Sequence, residues 1–195
     1  DELGLGAAQE FVHFGLTSQD VNNTALPLLL KDFIFTHYLG AITTVRDRLH
    51  GFALAWAQVP MLARTHGQPA SPTRLGKEFE VYVERLDGQL KLLREVPITC
   101  KFGGATGNFN AHHAAYPELD WVKLADRFCE ERLGMPRQRF TTQIEHYDNL
   151  AAVFDAMRRI NTVLIDLCRD VWTYISMDYF RQQVKDGEVG SSAMP

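Results

Sequence analysis

Cysteine is scarce in this sequence. Only Cys100, Cys129 and Cys168 are present, and no two of them form a C-x-x-C pair. An odd number of cysteines without paired spacing excludes a disulfide framework and a zinc ribbon. The first residues, Asp1 and Glu2, also lack the positive charge that begins a secretory signal peptide. We therefore expect a cytoplasmic protein.

Long apolar runs and dense basic runs are missing as well. No uninterrupted apolar run approaches the roughly 18 residues that a membrane-spanning helix needs. Twenty Lys and Arg residues stand against 24 Asp and Glu residues, for a formal charge of −4. A chain without a basic cluster cannot follow a phosphate backbone closely. We therefore expect neither a membrane nor a nucleic acid as a partner.

Apolar residues at helical spacing are abundant. One stripe recurs every seven residues from Val21 to Trp56, a second every three or four residues from Pro72 to Val96, and a third from Leu150 to Phe180. Pro27 is expected to kink or restart the first helix, and a shorter helix is predicted from Pro117 to Leu133. No convincing strand alternation is present. The predicted fold class is all-α.

The length of the predicted helices indicates an elongated molecule. A helix of 40 residues is about 60 Å long, whereas a compact globule of this chain length is about 40 Å across. The helices should therefore form an elongated bundle of long antiparallel helices. Their exposed apolar stripes are most economically covered by other copies of the chain.

Four polar segments interrupt the helices: residues 17–20, 64–68, 103–113 and 190–192. Each has a plain structural explanation by itself, since Thr-Ser before a helix is a common cap and Gly-Ser segments are common linkers. His66 nevertheless carries the side chain whose ordinary pKa of about 6.5 suits proton transfer near neutral pH. The histidines lack H-E-x-x-H spacing, and residues 103–108 lack the order of a phosphate-binding loop, so we expect no metal.

Taken together and in this order, the segments resemble the fumarase/aspartase superfamily and, within it, the adenylosuccinate lyase family. A glycine follows His66, where fumarases, aspartases and argininosuccinate lyases typically have leucine. The segment Thr141-Thr142-Gln143-Ile144-Glu145 also resembles the purine enzyme. The other matching motifs are Thr17-Ser18-x-Asp20, Arg64-Thr65-His66-Gly67-Gln68-Pro69-Ala70, Gly104-Ala105-Thr106-Gly107-Asn108 and Gly190-Ser191-Ser192-Ala193-Met194-Pro195.

The resemblance implies a lyase that needs no cofactor. It would eliminate fumarate from adenylosuccinate, giving AMP, and from the succinyl-aminoimidazole-carboxamide ribotide earlier in purine synthesis. By resemblance, His66 is the general acid and Ser191 the general base, with Ser192 as the less favoured alternative. The substrate-binding residues implied in the same way are Thr17, Ser18, Thr65 and Gln143.

The resemblance covers nearly the whole chain. It implies that residues 1–195 are the central helical-bundle domain of a longer lyase, ending in the start of the Gly-Ser-Ser catalytic loop at 187–195. The family's N-terminal domain, with a second active-site histidine, and its C-terminal helical domain are not in this sequence. The resemblance also implies a homotetramer whose active sites are shared between subunits. The 195 residues alone are therefore expected to be inactive.

Two other interpretations remain open at this point. The chain could belong to another fumarate-releasing lyase of the superfamily, acting on a related amino- or hydroxysuccinate, although His66-Gly67-Gln68 argues against that. It could also be a catalytically incomplete helical scaffold for oligomerisation, which the apolar stripes fit equally well.

Overall fold

Long helices make up the body of the molecule. The computed structural model describes residues 4–183 and 185–187. Helix α1 (Ser18–Phe33) continues through a π-helical segment (Ile34–Tyr38) into α2 (Leu39–Ala55). This continuous helix of 38 residues is about 57 Å long at 1.5 Å per residue. Two more long helices follow, α3 (Leu75–Glu95) and α6 (Asp148–Ser176).

Shorter elements lie between and before these helices. A 3₁₀ helix spans Gly6–Phe11, and a hairpin of strands β1 (Pro60–Thr65) and β2 (Gln68–Arg74) separates α2 from α3. The connection from α3 to α6 contains α4 (Asn110–Ala115), α5 (Trp121–Arg127) and a π-helical segment (Phe128–Arg132).

Helix α3 lies antiparallel to both α2 and α6. Arg46 of α2 forms a two-pronged ion pair with Asp87, and His50, one turn further along α2, contacts Glu80 at 3.0 Å. As the residue number increases along α2, the residue number of its partner on α3 decreases. The hydrogen bonds between α3 and α6 run in opposite directions along the two helices in the same way. The apolar core lies between these three helices and the π-helical segment at 34–38; its most buried members are Ile34, Val83, Leu86, Leu90, Leu93 and Ile160. The predicted fold class, all-α with long antiparallel helices, is confirmed.

Pro27 lies inside α1 without ending it, so the restart expected at this proline is not found. Proline has no amide hydrogen, and the carbonyl oxygen of Asn23, four residues earlier, consequently loses its helical donor. The backbone amide of Lys101 takes that place and donates to the Asn23 oxygen at 3.1 Å. The proline thus leaves a carbonyl oxygen of α1 available to accept a hydrogen bond from the glycine-rich segment that follows α3.

The β-hairpin was not expected from the sequence, because its strands show no apolar alternation and β2 contains two prolines. The strands pair antiparallel from Pro60↔Arg74 to Thr65↔Gln68. A two-stranded ribbon has only edge strands, and edges tolerate residues without an amide hydrogen. Prolines that argue against a central strand are therefore compatible with this hairpin.

The start of the shorter predicted helix and the end of the third long helix also differ from expectation. The helix predicted to start at Pro117 begins at Trp121, because the Asp120 side chain caps it by accepting the Lys123 amide at 3.0 Å. The third long helix ends at Ser176 rather than Phe180, and its 29 residues make about eight turns.

Several large apolar side chains on the long helices face away from the core. On α1 these include Leu26, Leu29 and Phe33, and on α6 Ile165 and Trp172. Ser18–Ala55 is long and apolar enough to cross a membrane by length and composition alone, contrary to the expectation from uninterrupted apolar runs. Core helices of other proteins pass the same test, so it is weak evidence for a membrane.

Candidate active site

Three of the predicted substrate-binding residues lie together at the amino end of α1. Thr17 is the N-cap residue, and its hydroxyl oxygen accepts the Gln19 amide at 3.4 Å. The side-chain amide of Gln143 donates to the same oxygen at 3.2 Å, although the two residues are 126 positions apart. Ser18 is the exposed first residue of the helix. The motif that looks like a cap is therefore also the meeting point of two distant segments.

Asp20 completes the cap and forms a further set of bonds from a fully buried position. Its Oδ2 accepts the Thr17 amide at 2.8 Å, and its Oδ1 accepts the Lys101 ammonium at 2.7 Å. Oδ1 also accepts the amides of Gly103 at 2.9 Å and Gly104 at 3.1 Å. Burial by itself would raise the pKa of Asp20, but these donors together hold the pKa below its ordinary value. The carboxylate is thus charged and fully partnered.

The glycine-rich loop at 103–108 fits tightly between the two flanking segments. Gly107 has φ +78°, and a Cβ there would lie 2.3 Å from the carbonyl oxygen of Thr141. Gly104 has φ +79°, and its Cβ would lie 3.3 Å from the carbonyl oxygen of Gly15. Backbone with positive φ at such short distances requires glycine. The loop therefore contacts residues just before Thr17 on one side and residues just before Gln143 on the other.

The segment that carries Gln143 is itself fixed to α1. The hydroxyl of Tyr147 donates to the side-chain oxygen of Asn23 at 2.9 Å. Buried Glu145 accepts the Tyr147 amide at 2.6 Å and also pairs with the side-chain amide of Gln138. These three hydrogen bonds hold the chain between the loop and α6 in one place, and they thereby fix the backbone that carries Gln143.

A buried histidine lies beneath the loop. The ring of His112 packs against Trp121 at 4.8 Å and against Phe14 and Phe109 at 5.5 Å each, measured between ring centroids. Within the described part of the chain, its Nδ1 has no hydrogen-bonding partner. Burial lowers the pKa of His112 below its ordinary value, which outweighs the opposing effect of nearby Asp20. This histidine is neutral near pH 7 and belongs to the packing beneath the site.

His66 occupies the tip of the hairpin, and the sequence correctly placed it on a connection. His66 has φ +50° and Gly67 has φ +72°, as in the tight two-residue turns that join antiparallel strands. Thr65 and His66 are both exposed. Among residues 4–183 and 185–187, His66 has no hydrogen-bonding partner, so its imidazole is free to meet a ligand. Gly67 is the residue that lets the turn form at this length.

The structure keeps the two groups of predicted residues apart within one chain. Thr17, Ser18 and Gln143 lie at the start of α1, whereas Thr65 and His66 follow the end of α2. The intervening helix of 38 residues is about 57 Å long. Ser191, the predicted base, and Ser192 lie outside the described residues.

Sequence reasoning missed Lys101. Asp20 was recognised only as part of a motif with a capping role, and Lys101 carries no motif of its own. The available signal was a lysine between Cys100 and Phe102, two residues before the first of a pair of glycines. A cation in an apolar segment of a folded chain needs a buried anion, and Asp20 supplies it. In the described part of the chain, no group of three or more His, Cys, Asp or Glu side chains could hold a metal ion.

Comparison with known proteins identifies the family. A family model described as Lyase matches residues 3–195. The chain belongs to this lyase family. Among its relatives is the adenylosuccinate lyase of Dictyostelium discoideum, which is 56% identical over 189 residues, covering 95% of this chain and 41% of the relative.

Bacterial relatives and a solved structure agree with this membership. The adenylosuccinate lyase of Vibrio cholerae is 46% identical and that of Escherichia coli K12 is 43% identical, each match covering 98% of this chain and 42% of the relative. The crystal structure of 3-carboxy-cis,cis-muconate lactonizing enzyme from Pseudomonas putida superposes with a TM-score of 0.75 at 25% identity, covering 90% of this chain and 39% of that one. The chain thus spans about two fifths of the length of the curated relatives that it matches.

Proposed function

We propose that this chain is the central helical-bundle domain of a cytoplasmic adenylosuccinate lyase. The intact enzyme would eliminate fumarate from adenylosuccinate and from the succinyl-aminoimidazole-carboxamide ribotide of purine nucleotide synthesis. The observation that carries this proposal is 43% to 56% identity to adenylosuccinate lyases over nearly the whole chain. The turn His66-Gly67, which needs glycine for its backbone, supports the same assignment.

The proposed reaction is a β-elimination by general acid and general base. A base removes the proton on the carbon β to the departing nitrogen, and the electron pair left behind forms the double bond of fumarate as the C–N bond breaks. An acid then protonates the nitrogen. We assign the acid to His66, whose exposed imidazole lies at the turn of the hairpin, and the base to Ser191, by family resemblance.

The proposed active site is shared between copies of the chain. Thr17 and His66 lie at opposite ends of a helix of 38 residues, so one copy cannot bring both to a single small nucleotide. Antiparallel packing of a second copy would place its hairpin beside the first copy's α1 amino end. The apolar faces of α1 and α6 provide the surface for such packing, in agreement with the proposed homotetramer.

Fumarate release by the intact enzyme tests the proposed function. Release from adenylosuccinate, followed by ultraviolet absorbance, is the expected result, with argininosuccinate as the comparison substrate. Release from argininosuccinate alone would favour another lyase of the superfamily. A folded oligomer that releases fumarate from neither substrate would favour the helical scaffold.

A further inference from the structure

One buried carboxylate connects the cap of α1 to the glycine-rich segment of the candidate site. Asp20 accepts hydrogen bonds from the Thr17 amide, the Lys101 ammonium and the amides of Gly103 and Gly104, at distances between 2.7 and 3.1 Å. All four donors come from segments that the family resemblance marks or that lie directly beside them. Thr17 in turn accepts the Gln143 side chain. The site's amino-end geometry therefore depends on the position of one side chain.

Lys101 adds two further hydrogen bonds to this arrangement, one to the loop and one to α1. Its ammonium also donates to the carbonyl oxygen of Gly104 at 2.7 Å, so it connects the loop to Asp20 through a second bond. Its backbone amide donates to the Asn23 oxygen that Pro27 leaves without a helical donor. The side chains of Lys101 and Asp20 are both 0% exposed. Lys101 is thus fixed to α1 by its backbone and by its charge.

A requirement for stability alone explains this ion pair poorly. Charged pairs with no exposure lose their hydration, and apolar residues of similar volume are often equally stabilising. An apolar pair could not accept the amides of Gly103 and Gly104 or hold the Thr17 amide. What the charged pair adds is a fixed distance between the helix cap and the loop.

We propose that Asp20 and Lys101 are positioning residues that hold the loop at 103–108 against the Thr17 cap in the geometry that binds substrate. The inference rests on the proposed function, since it concerns the same site. Neither residue is assigned contact with the substrate. Loss of the pair should therefore weaken substrate binding through displaced loop and cap residues, and misplacement of this kind can cost up to about 100-fold.

The test uses the intact enzyme with Asp20→Asn, Lys101→Met and the two combined. In the combined variant no buried charge is left unpaired, so its thermal midpoint and oligomeric state should stay near those of the wild type. Its KM for adenylosuccinate should still rise by about 10-fold or more, with a smaller change in kcat. Binding of adenylosuccinate measured by calorimetry in a Ser191→Ala background should weaken by the same factor.

A half-exposed ion pair elsewhere in the bundle serves as the control for general ion-pair loss. Arg85 and Asp166 join α3 to α6 by an ion pair at 2.7 Å, away from the loop. The combined variant Arg85→Met with Asp166→Asn should leave the KM unchanged. Should Asp20→Asn fail to fold, Lys101→Met decides the question, because Asp20 keeps its three backbone donors there.

The outcomes distinguish this inference from the proposed function. A wild-type enzyme that releases no fumarate from adenylosuccinate overturns both. An active wild type together with folded Asp20 and Lys101 variants of unchanged KM and unchanged calorimetric affinity overturns the positioning role alone. The positioning role would also be overturned if the KM rose in proportion to the loss of thermal stability, both in the Asp20 and Lys101 variants and in the control variant.

Discussion

The hydroxyl of Tyr179 donates a hydrogen bond to the carbonyl oxygen of Leu62 at 2.8 Å, joining the chain after α6 to strand β1. Phe180, the next residue, packs its ring against Trp56 at 5.7 Å and Phe79 at 6.1 Å between centroids. The segment that leads toward the Gly-Ser-Ser motif is therefore fixed at the base of the hairpin that carries His66.

Tyr179→Phe should loosen this attachment. The variant removes one hydrogen bond and keeps the ring, so the free energy of unfolding should fall by about 0.5–1.5 kcal/mol. Hydrogen exchange of the β1 amides should become faster, as measured by mass spectrometry. Tyr174→Phe is a suitable control, because no hydrogen bond of its hydroxyl is found among the described residues. Equal effects of the two variants on β1 exchange would contradict this role of Tyr179.

His66→Ala in the intact enzyme should lower kcat far more than it raises the KM. A general acid acts mainly as the C–N bond breaks, and such groups contribute about 10²–10⁴-fold to the rate. Steady-state fumarate release measures both constants. His50→Ala is the matched control, since His50 contacts Glu80 on the outside of the bundle. Near-normal turnover in His66→Ala would leave His66 as a turn residue or a binding contact.

The long helices could be predicted from the sequence, because apolar residues recur at helical spacing within each of them. Leu86, Leu90 and Leu93 recur at three and four residues, and all three are buried in the core. The hairpin was not readable, because both faces of its strands are largely exposed and no alternation arises. Residues 64–68 were nevertheless recognised as a polar interruption between helices. The two-residue turn at His66 and Gly67 was not predicted, because it forms only through the pairing of the two strands.

The Asp20–Lys101 pair could not be predicted for a different reason. The two residues are 81 positions apart, and their contact is set by how α1 packs on the loop after α3. Motif resemblance found the cap and the loop separately. Only the structure shows that one carboxylate bonds to both.

His112 should make stability depend on pH below neutrality. Burial lowers its pKa in the folded state below the ordinary value of 6.5. As the pH falls through 6.5, the unfolded chain binds a proton there while the folded chain does not, so the free energy of unfolding decreases. His112→Phe, which retains an aromatic ring among Phe14 and Trp121, should flatten this dependence.

Urea unfolding at pH 7 and pH 5 measures the effect. The difference between the two pH values should be smaller in His112→Phe than in the wild type. His113→Phe, at the adjacent exposed position, is the control and should retain the wild-type difference. Identical pH dependence in the wild type and His112→Phe would show that His112 contributes nothing to it.

The exposed apolar faces should support assembly into a tetramer. Leu29 is 67% exposed and Trp172 is 73% exposed on the long helices. Burying such a side chain contributes about 1.5–3 kcal/mol, and a charge in its place would add a desolvation cost. Leu29→Glu and Trp172→Glu should therefore shift the mass measured by light scattering toward smaller species. Lys91→Glu, at an exposed polar position, should not, and a stable wild-type monomer at micromolar concentration would contradict the assembly.

A protein made of these 195 residues alone should have no appreciable lyase activity, even if it assembles correctly. The relatives are more than twice as long, since the matches cover only 41% to 42% of them. A serine hydroxyl is a weak base, and Ser191 needs cationic or dipolar neighbours that favour its alkoxide. Family resemblance places such neighbours in the sequence that follows the Gly-Ser-Ser motif and in the flanking domains.

Fumarate release by the 195-residue protein and by the intact enzyme, under identical conditions, measures the difference, with Ser191→Ala in the intact enzyme as the inactive reference. Comparable activity in the two proteins would show that these residues already contain the complete catalytic set, and the assignment of an incomplete site would be wrong.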